Sequence, residues 1–517
     1  MKKTKPFEPR RLSSAQWFWF LAFMGILTRA AMLRTAAAET TDGILCLTYF
    51  NLDFVQTPRF MILPGYPALL WLGEHLGLPG WLWGRILSAL AGVLFLIPLW
   101  KFSRRWVPEE MSGIICAMAL FSPLLWQWSL KVMPDTLFLL FFWWCLERLT
   151  AADVEKNEKA WWQACLLGAA ASMTRVEGFL FFPWLLALGF GVSGMNRWKR
   201  FLGSLVIWAG PFYFLSQKLV LLLSAYQEGL GLTEGAGKVR FPFVNFVDHF
   251  YTYLTQPLYV FTPLVFWFAI LGLAKMVRRR DPEGDALKKI TLQILVLIFI
   301  SRLIPAQYQD RHMLPFLPLL LVAAGFHHEI FFESLDKSRG VIKVLFMKNG
   351  LLTLCMAWLA LYSVAVLISQ TDSFGDIKRS SEFLKTLPPD AVIYSDEVPK
   401  TQYWSGRKIK LMPYLAENTA FTPRPGDYVA LHSFYVPRIG QADEHLVRGY
   451  GAELLKEESS MIVPLLTDVM EDPDFQNRTT ATAFRFAPQF FRSQVYRIPN
   501  NSPPMAPSTP RKAKAKT

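Results

Sequence analysis

Long apolar segments alternate with short polar loops along the first 370 residues of the chain. Several of these segments approach the ~20 residues that span the hydrocarbon core of a bilayer. Residues 64–78 are apolar as well, but Pro64 and Pro67 break them, which favours a short amphipathic segment lying at the membrane interface. The pattern predicts eleven spans, near residues 15–35, 81–100, 111–130, 135–149, 160–174, 178–194, 201–223, 258–276, 290–306, 313–332 and 350–369.

The pattern changes at about residue 371. The stretch "EFLKTLPPDAVIYSDE" predicts an amphipathic helix, a Pro-Pro turn and a β-strand, and "KIKLMPY", "DYVALHSF" and "QVYRIP" predict further strands. Residues 500–517 are Pro-rich and then basic, which is typical of disorder. The predicted fold class is therefore an all-α polytopic membrane domain over residues 1–370, a small α/β domain over 371–499, and a disordered basic tail.

Composition and charge support the membrane class and give an orientation. The chain is 52% hydrophobic and 18% charged, which is too little charge for the surface of a soluble protein. The net charge of +14 does not indicate a nucleic-acid partner, because the Lys and Arg residues lie mostly in short loops. With a cytoplasmic N-terminus, the cytoplasmic loops carry 24 Lys and Arg residues and the opposite loops carry 7. This asymmetry predicts that the C-terminal domain is extracytoplasmic.

Ionisable residues gather at the external ends of the predicted spans. Charges near a bilayer are costly, and those that persist usually face a cavity, pair with one another or bind a ligand. We therefore expect one site at the external surface. Its members would be Asp42 in "AAAETTDGILC", then Glu39, Arg85, Asp135, Arg175, Glu177, Arg302, Asp310, Arg311 and His312.

Each of these residues also has a structural interpretation. Asp42 could be an ordinary loop acid or the N-cap of a following helix. Asp135 could open a helix, where an acid favours the helix dipole. Arg175 and Glu177 could pair only with each other, and Arg85 could extend to the membrane interface.

The order of several motifs resembles a known family. The motifs are "DGILCLTYFNLDF", "LPGYPALLWLG", "GRILSALAG", "MPDTLFLLFFWWCLE", "GAAASMTRVEGFLFFP" and "RHMLPFLPLLLVAAG". In this order they resemble a bacterial family 39-type glycosyltransferase of the C-type (GT-C) membrane fold, and the resemblance extends to about residue 497. Members of that family include protein O-mannosyltransferases and the transferase that adds aminoarabinose to lipid A. They use sugars carried on a polyprenyl phosphate and act on the non-cytoplasmic side.

The resemblance implies catalytic roles for two acids. Asp42 matches the family's acid in the first external loop, and Asp135 matches a second acid in the next. Close relatives often have two adjacent acids in the first loop, whereas here Gly43 follows Asp42 and the nearest second acid is Glu39. Many relatives also have Pro where this chain has Val176. We therefore expect a smaller role for Glu39 than for Asp42.

The implied function is transfer of a sugar from a polyprenyl-phosphate donor to a hydroxyl acceptor at a bacterial inner membrane. A single displacement with Asp42 as general base would invert the anomeric centre. The departing phosphate needs cationic partners, and arginine suits a phosphate through paired donors. The candidates are Arg85, Arg175, Arg302 and Arg311, together with Lys238 and Arg240 of the Gly-rich loop "EGLGLTEGAGKVRFPF".

Several alternatives stay open at this point. Mannose, glucose, galactose and aminoarabinose all fit, and the acceptor could be a lipid, a protein or a glycan. Asp42 with Asp135 could hold a divalent metal, although two carboxylates are a weak ligand set. A secondary transporter or a non-catalytic membrane scaffold is the rival class. A transporter would place charges near the midplane and interrupt paired spans, and the sequence shows neither clearly.

Overall fold

The structure is a computed structural model, and the chain divides into two compact units. The helical unit consists of the described residues of Met1–Leu33 and Phe60–Val366. The sheet unit consists of the described residues of Arg34–Arg59, Leu367–Leu465 and Thr479–Thr517. The structure describes residues 14–500 apart from 36, 38, 52–61, 192–196, 232–262, 304–313, 340, 373, 413–422, 433–445 and 463–488.

Helices account for most of the described chain, as the fold-class prediction requires. The described part of each of the eleven apolar segments predicted as spans overlaps one helix or two consecutive helices. A 3₁₀ helix at Val176–Leu180 precedes one of them. The helices are α1 (Ser14–Met32), α2 (Thr41–Leu47), α3 (Gly65–His75), α4 (Gly80–Leu94), α5 (Leu96–Ser103), α6 (Glu109–Leu120), α7 (Pro123–Ser129), α8 (Asp135–Val154), α9 (Glu158–Thr174), α10 (Phe181–Gly191), α11 (Arg197–Gly231), α12 (Pro263–Val277), α13 (Pro282–Leu303), α14 (Leu317–Arg339), α15 (Val341–Gln370), α16 (Gly375–Leu384) and α17 (Val398–Ser405).

Length and apolar composition identify few complete spans among the described residues. Helices α4 and α5 together form Gly80–Ser103, a 24-residue segment that is long and apolar enough to cross a membrane. Helices α6 and α7, bent by 54° at the break between them, form a second span if the pair is counted as one. The number of spans and their orientation therefore stay predictions.

A buried arginine stabilises the break between α6 and α7. Arg29 of α1 donates from Nη2 to the carbonyl oxygen of Leu120, where α6 ends, at 3.0 Å. Its Nε donates to Oγ of Ser129, the last residue of α7, at 2.8 Å. The guanidinium also lies 4.9 Å from the ring of Trp126. Because the carbonyls at a helix end lack intrahelical partners, this guanidinium replaces hydrogen bonds that the broken helix loses.

The sheet unit contains five strands in the order β2-β1-β3-β5-β4. Strands β2, β1 and β3 pair in parallel, whereas β5 pairs antiparallel to both β3 and β4. Each strand therefore hydrogen-bonds to its neighbours in this mixed sheet. The strands are β1 (Ile393–Ser395), β2 (Ile409–Leu411), β3 (Tyr428–His432), β4 (Glu453–Ile462) and β5 (Gln489–Arg497).

Apolar residues cover both faces of this sheet. Every residue of the central strand β3 is buried. Val429 and Leu431 pack with Tyr496 on one face, and Ala430 packs with Ile393 on the other. A strand that is buried on both faces is a near-continuous apolar run, which is why "DYVALHSF" was recognisable as a strand.

The segment after α1 groups with the C-terminal residues. Arg34–Arg59 contains α2, and it belongs to the sheet unit rather than to the unit of the helices before and after it in the sequence. The predicted division had assigned this segment to the domain of residues 1–370. Asp42 therefore belongs to the same compact unit as the five-stranded sheet.

Candidate functional site

Three of the sequence motifs meet around Ser88 in the helical unit. The hydroxyl of Tyr66, from "LPGYP", donates to the Gly84 carbonyl at 3.1 Å and lies 3.0 Å from Ser88 Oγ. Ser88, from "GRILSALAG", donates to the Met133 carbonyl at 3.1 Å. Thr136 of "MPDT" donates back to the Ser88 carbonyl at 3.1 Å. These side-chain bonds fix the start of α8 against α4 and α3.

Gly65 attaches the fourth motif, "SMTRVEG", to this group, and Gly178 allows a tight turn within the motif. A Cβ on Gly65, at the start of α3, would lie 2.5 Å from the carbonyl oxygen of Met173. A Cβ on Gly178 would lie 2.4 Å from the backbone nitrogen of Ser172. Only a residue without a side chain allows backbones to approach so closely. The end of α9 and the turn after it therefore pack directly against their neighbours.

Two carboxylates and one guanidinium form the centre of this arrangement. Arg175 follows the end of α9 in an extended conformation. Its Nε and Nη2 donate to the two carboxylate oxygens of Glu177 at 3.1 and 2.6 Å. Its Nη1 donates to Oδ1 of Asp135, which is only 3% exposed. The guanidinium also lies 5.8 Å from the ring of Phe138. Two carboxylates therefore share one guanidinium.

This cluster decides two of the structural alternatives. Asp135 is the first residue of α8, as the helix-opening interpretation requires, but it also binds Arg175. Arg175 and Glu177 do pair, but not only with each other. Three of the five N–H donors of Arg175 bind carboxylates. Its predicted contact with a phosphate stays a prediction.

Arg85 is buried beside the end of the first helix. Its Nη1 donates to the Leu33 carbonyl at 3.0 Å, and its guanidinium lies 5.3 Å from the ring of Trp81. The side chain is 3% exposed. It therefore binds a backbone carbonyl and an aromatic face rather than extending to solvent.

Asp42 lies in the first turn of α2, in the sheet unit. The N-cap of that helix is Thr40, whose hydroxyl accepts a hydrogen bond from the Gly43 nitrogen at 3.1 Å. The interpretation of Asp42 as the N-cap is therefore wrong. Glu39 immediately precedes the cap and is buried, whereas Asp42 is half-buried. Both acids belong to a different compact unit from Asp135, Arg175 and Glu177.

The side chains of the other predicted site residues lie outside the described part of the structure. For Arg302, the structure gives the backbone, within α13, but not the side chain. The predictions for these residues, including the Gly-rich loop, are untested. The residues concerned are Lys238, Arg240, Asp310, Arg311 and His312.

The sequence did not predict a buried polar network in the sheet unit. Asp396 accepts from the His432 backbone nitrogen at 3.1 Å, and Nε2 of His432 lies 3.2 Å from Oγ1 of Thr401. Nδ1 of His432 lies 2.7 Å from Oγ of Ser493, which donates to Asp376 at 2.7 Å. Burial raises the pKa of Asp396 to about 8 and lowers the pKa of His432 to about 3. The sequence feature that could have indicated this network is the acidic pair at the end of "VIYSDE", which directly follows a strand.

The described residues contain no group of three or more His, Cys, Asp or Glu side chains suited to a metal ion. Asp135, one of the two acids considered as metal ligands, has a carboxylate oxygen bound to Arg175. A guanidinium at that position competes electrostatically with a cation. Dependence on a divalent metal stays untested.

Comparisons with known proteins agree with the motif order. A family model described as dolichyl-phosphate-mannose-protein mannosyltransferase matches residues 58–216. Solved structures of ArnT from Cupriavidus metallidurans match over most of both chains. The apo form covers 86% of this chain and 97% of its own, with a TM-score of 0.54 at 13% identity. The form bound to undecaprenyl phosphate covers 85% and 95%, with a TM-score of 0.53 at 12% identity.

The chain has the fold of a GT-C membrane glycosyltransferase. The arabinofuranosyltransferase AftD from Mycobacteria also matches, with a TM-score of 0.51 at 15% identity over 96% of this chain and 42% of that chain. No curated protein sequence matches. The GT-C resemblance predicted from the motifs is thus confirmed, and the match to the mannosyltransferase model includes Arg85, Asp135, Arg175 and Glu177.

Proposed function

We propose that this chain transfers a sugar from a polyprenyl-phosphate donor to a hydroxyl acceptor at the extracytoplasmic face of the bacterial inner membrane. The GT-C fold supports this proposal, as does the bound undecaprenyl phosphate of one matching ArnT structure. The observation that carries the catalytic assignment is the N-cap of α2. Because Thr40 caps that helix, capping does not account for the acid at position 42.

Asp42 is proposed to be the general base. The acceptor hydroxyl has a pKa too high to ionise by itself, so the carboxylate takes its proton as the oxygen attacks C1 of the sugar. The bond from C1 to the phosphate oxygen breaks, and its electron pair leaves with the polyprenyl phosphate. One bond forms and one breaks in a single displacement, so the anomeric configuration inverts. The leaving phosphate is already a stable anion and needs no general acid.

Cationic side chains are proposed to stabilise the departing phosphate. Charge that develops as the bond breaks is best met by donors fixed in advance. Arg175 is fixed in this way by Asp135 and Glu177. The other proposed phosphate ligands are Arg85, Arg302, Arg311, Lys238 and Arg240, and His312 is proposed to contact the substrate.

The mechanism proposed here contains no metal step. Asp42 acts as a base without a metal, and the Arg175 guanidinium already neutralises part of the charge on Asp135. Treatment of the purified enzyme with EDTA is therefore expected to leave the transfer rate unchanged. A loss of rate that Mg²⁺, Mn²⁺ or Zn²⁺ restores would contradict this mechanism.

A transfer assay separates this proposal from the rival classes. Purified protein in lipid nanodiscs would be given polyprenyl-phosphate-linked mannose, glucose, galactose or aminoarabinose, with extracted envelope lipids, proteins or glycans as acceptors. The proposal predicts release of polyprenyl phosphate and a new glycoside of inverted configuration with one donor. Failure with every donor, combined with solute uptake into vesicles, would favour a transporter.

A further inference from the structure

The helix that carries Asp42 is bound to the sheet. Thr41, the first residue of α2, donates from its hydroxyl to Oε1 of Glu397 at 3.1 Å. The two residues are 356 positions apart in the sequence, and both belong to the sheet unit. Asp42 directly follows Thr41, so whatever fixes Thr41 also fixes the turn from which Asp42 projects.

Glu397 is itself held firmly. It follows β1, and its backbone nitrogen donates to Oγ of Ser395 at 3.1 Å. The same Ser395 hydroxyl lies 3.1 Å from Oγ1 of Thr401, which joins it to the network around His432. The side chain that receives the Thr41 hydrogen bond therefore has its backbone tied to the centre of the sheet.

Burial of the Glu397 carboxylate, which binds the seven-residue helix α2, costs free energy. Glu397 is 6% exposed, and burial raises its pKa, an effect that the charge of Lys400 and the Thr41 hydrogen bond partly offset. Desolvation of a carboxylate costs free energy that an apolar contact would not cost. An apolar contact, however, has no direction, whereas a hydrogen bond from a β-branched hydroxyl constrains the rotation of the helix.

We infer that Glu397 is a positioning residue, whose carboxylate orients the first turn of α2, and with it the Asp42 side chain, through the Thr41 hydroxyl. This inference rests on the proposed function, in which Asp42 is the base. It makes the C-terminal sheet part of the catalytic apparatus rather than a separate binding module. Glu397 contacts neither substrate in this scheme, because it acts through Thr41.

The test is a set of variants in the full-length protein, assayed for transfer. Glu397→Ala and Thr41→Val each remove one partner of the hydrogen bond, and the valine keeps the shape of the threonine. A misplacement of about 1 Å at a reacting group can cost on the order of 100-fold in rate. Each variant is therefore expected to lower kcat by about 10- to 100-fold, with little change in KM for the donor. The double variant is expected to lose no more than the worse single variant, because both remove the same bond.

Two conservative variants and one matched control complete the set. Thr41→Ser and Glu397→Gln keep a donor and an acceptor and are expected to retain most of the kcat. Glu458→Ala removes another carboxylate of the same sheet, paired with Arg379 and Lys456, and is expected to leave kcat unchanged. Thermal unfolding of every variant distinguishes a rate effect from loss of fold.

The outcomes separate this inference from the proposed function. If Asp42→Asn is inactive while Thr41→Val and Glu397→Ala keep full kcat, the base stands and the positioning role is wrong. If Glu397→Ala only lowers the unfolding midpoint and Thr41→Val is silent, Glu397 is merely structural, which also contradicts the inference. If Asp42→Asn is fully active, the proposed base fails regardless of Glu397.

Discussion

Two clusters in this chain stabilise acids that are shielded from solvent, and they do so in different ways. In the helical unit, Asp135 and Glu177 share the guanidinium of Arg175. In the sheet unit, Asp396 lies beside His432, and burial raises the pKa of the acid and lowers that of the base. The first group holds one cation in a fixed position between two acids. The second removes charge from the interior of a sheet, as a structural network requires.

The largest effect is expected from removing the shared cation. Arg175→Ala leaves two carboxylates facing each other, one of them nearly inaccessible to solvent. Breaking a buried ion pair by removing one partner typically costs about 3–5 kcal/mol. We expect a marked fall in the unfolding midpoint and loss of sugar transfer, and Arg175→Lys should restore part of the stability. Unfolding curves and transfer rates in nanodiscs check this.

The matched control for that prediction is an exposed ion pair. Arg104 pairs with Glu109 at 3.7 Å, and the two side chains are 52% and 44% exposed. Exposed pairs contribute only about 0–1 kcal/mol, so Arg104→Ala should change stability little. Equal losses in Arg175→Ala and Arg104→Ala would contradict the distinction between the Arg175 cluster and an exposed surface pair.

The next largest effect is expected from a substitution in the turn that contains Glu177. In Gly178→Ala the new Cβ would meet the Ser172 backbone at 2.4 Å, and backbone cannot yield as a side chain can. Overpacking of this kind costs about 1–3 kcal/mol, and the displaced turn should also weaken transfer. Gly210→Ala is the control, because nothing lies within 4 Å of its Cβ position. A helical Gly→Ala change there should be neutral or stabilising. Equal changes in stability in Gly178→Ala and Gly210→Ala would contradict the argument that close packing at Gly178 excludes a side chain.

The buried pair of Asp396 and His432 predicts that the stability of the sheet unit depends on pH. Between pH 4 and 6.5, the folded pair of Asp396 and His432 carries one proton, as does the unfolded pair, so stability is constant. Above the ordinary histidine pKa of 6.5, the unfolded pair loses its proton while the folded Asp396 keeps one up to about pH 8. Stability should therefore fall by about 2 kcal/mol between pH 6.5 and 8.

Hydrogen exchange of β3 in the full chain, corrected for intrinsic rates, measures that dependence. Asp396→Asn should abolish most of it, because the amide does not titrate. A stability that rises from pH 6.5 to 8 would show that the sheet network keeps its charge.

The sequence predicted the helices well because long apolar segments leave few alternatives. It also grouped Asp135, Arg175 and Glu177, because each is a charge at the same end of a span. A helix near Asp42 was only one of two alternatives, and α2 has only seven residues. The sequence did not predict β4, an edge strand whose sequence "ELLKEESSMI" is rich in residues that disfavour strands.

The remaining features that the sequence did not predict depend on which residues lie close together in the folded chain. In "ETTDG", Thr40, Thr41 and Asp42 are all residue types that cap helices, so the sequence alone does not choose among them. The structure selects Thr40. The hydrogen bond between Thr41 and Glu397 joins parts of the chain that are distant in the sequence, and no local sequence pattern predicts it.

Asp42→Asn tests the central claim most directly. The amide keeps the size of the acid but does not accept the proton, and general base catalysis typically contributes ~10²–10⁴-fold. We expect transfer to fall by at least 100-fold while donor binding, measured by titration of a labelled polyprenyl-phosphate sugar, survives. Glu39→Gln, assayed beside it, should lose much less. Near-normal transfer by Asp42→Asn would contradict the account, and an inactive Glu39→Gln beside it would move the base to Glu39.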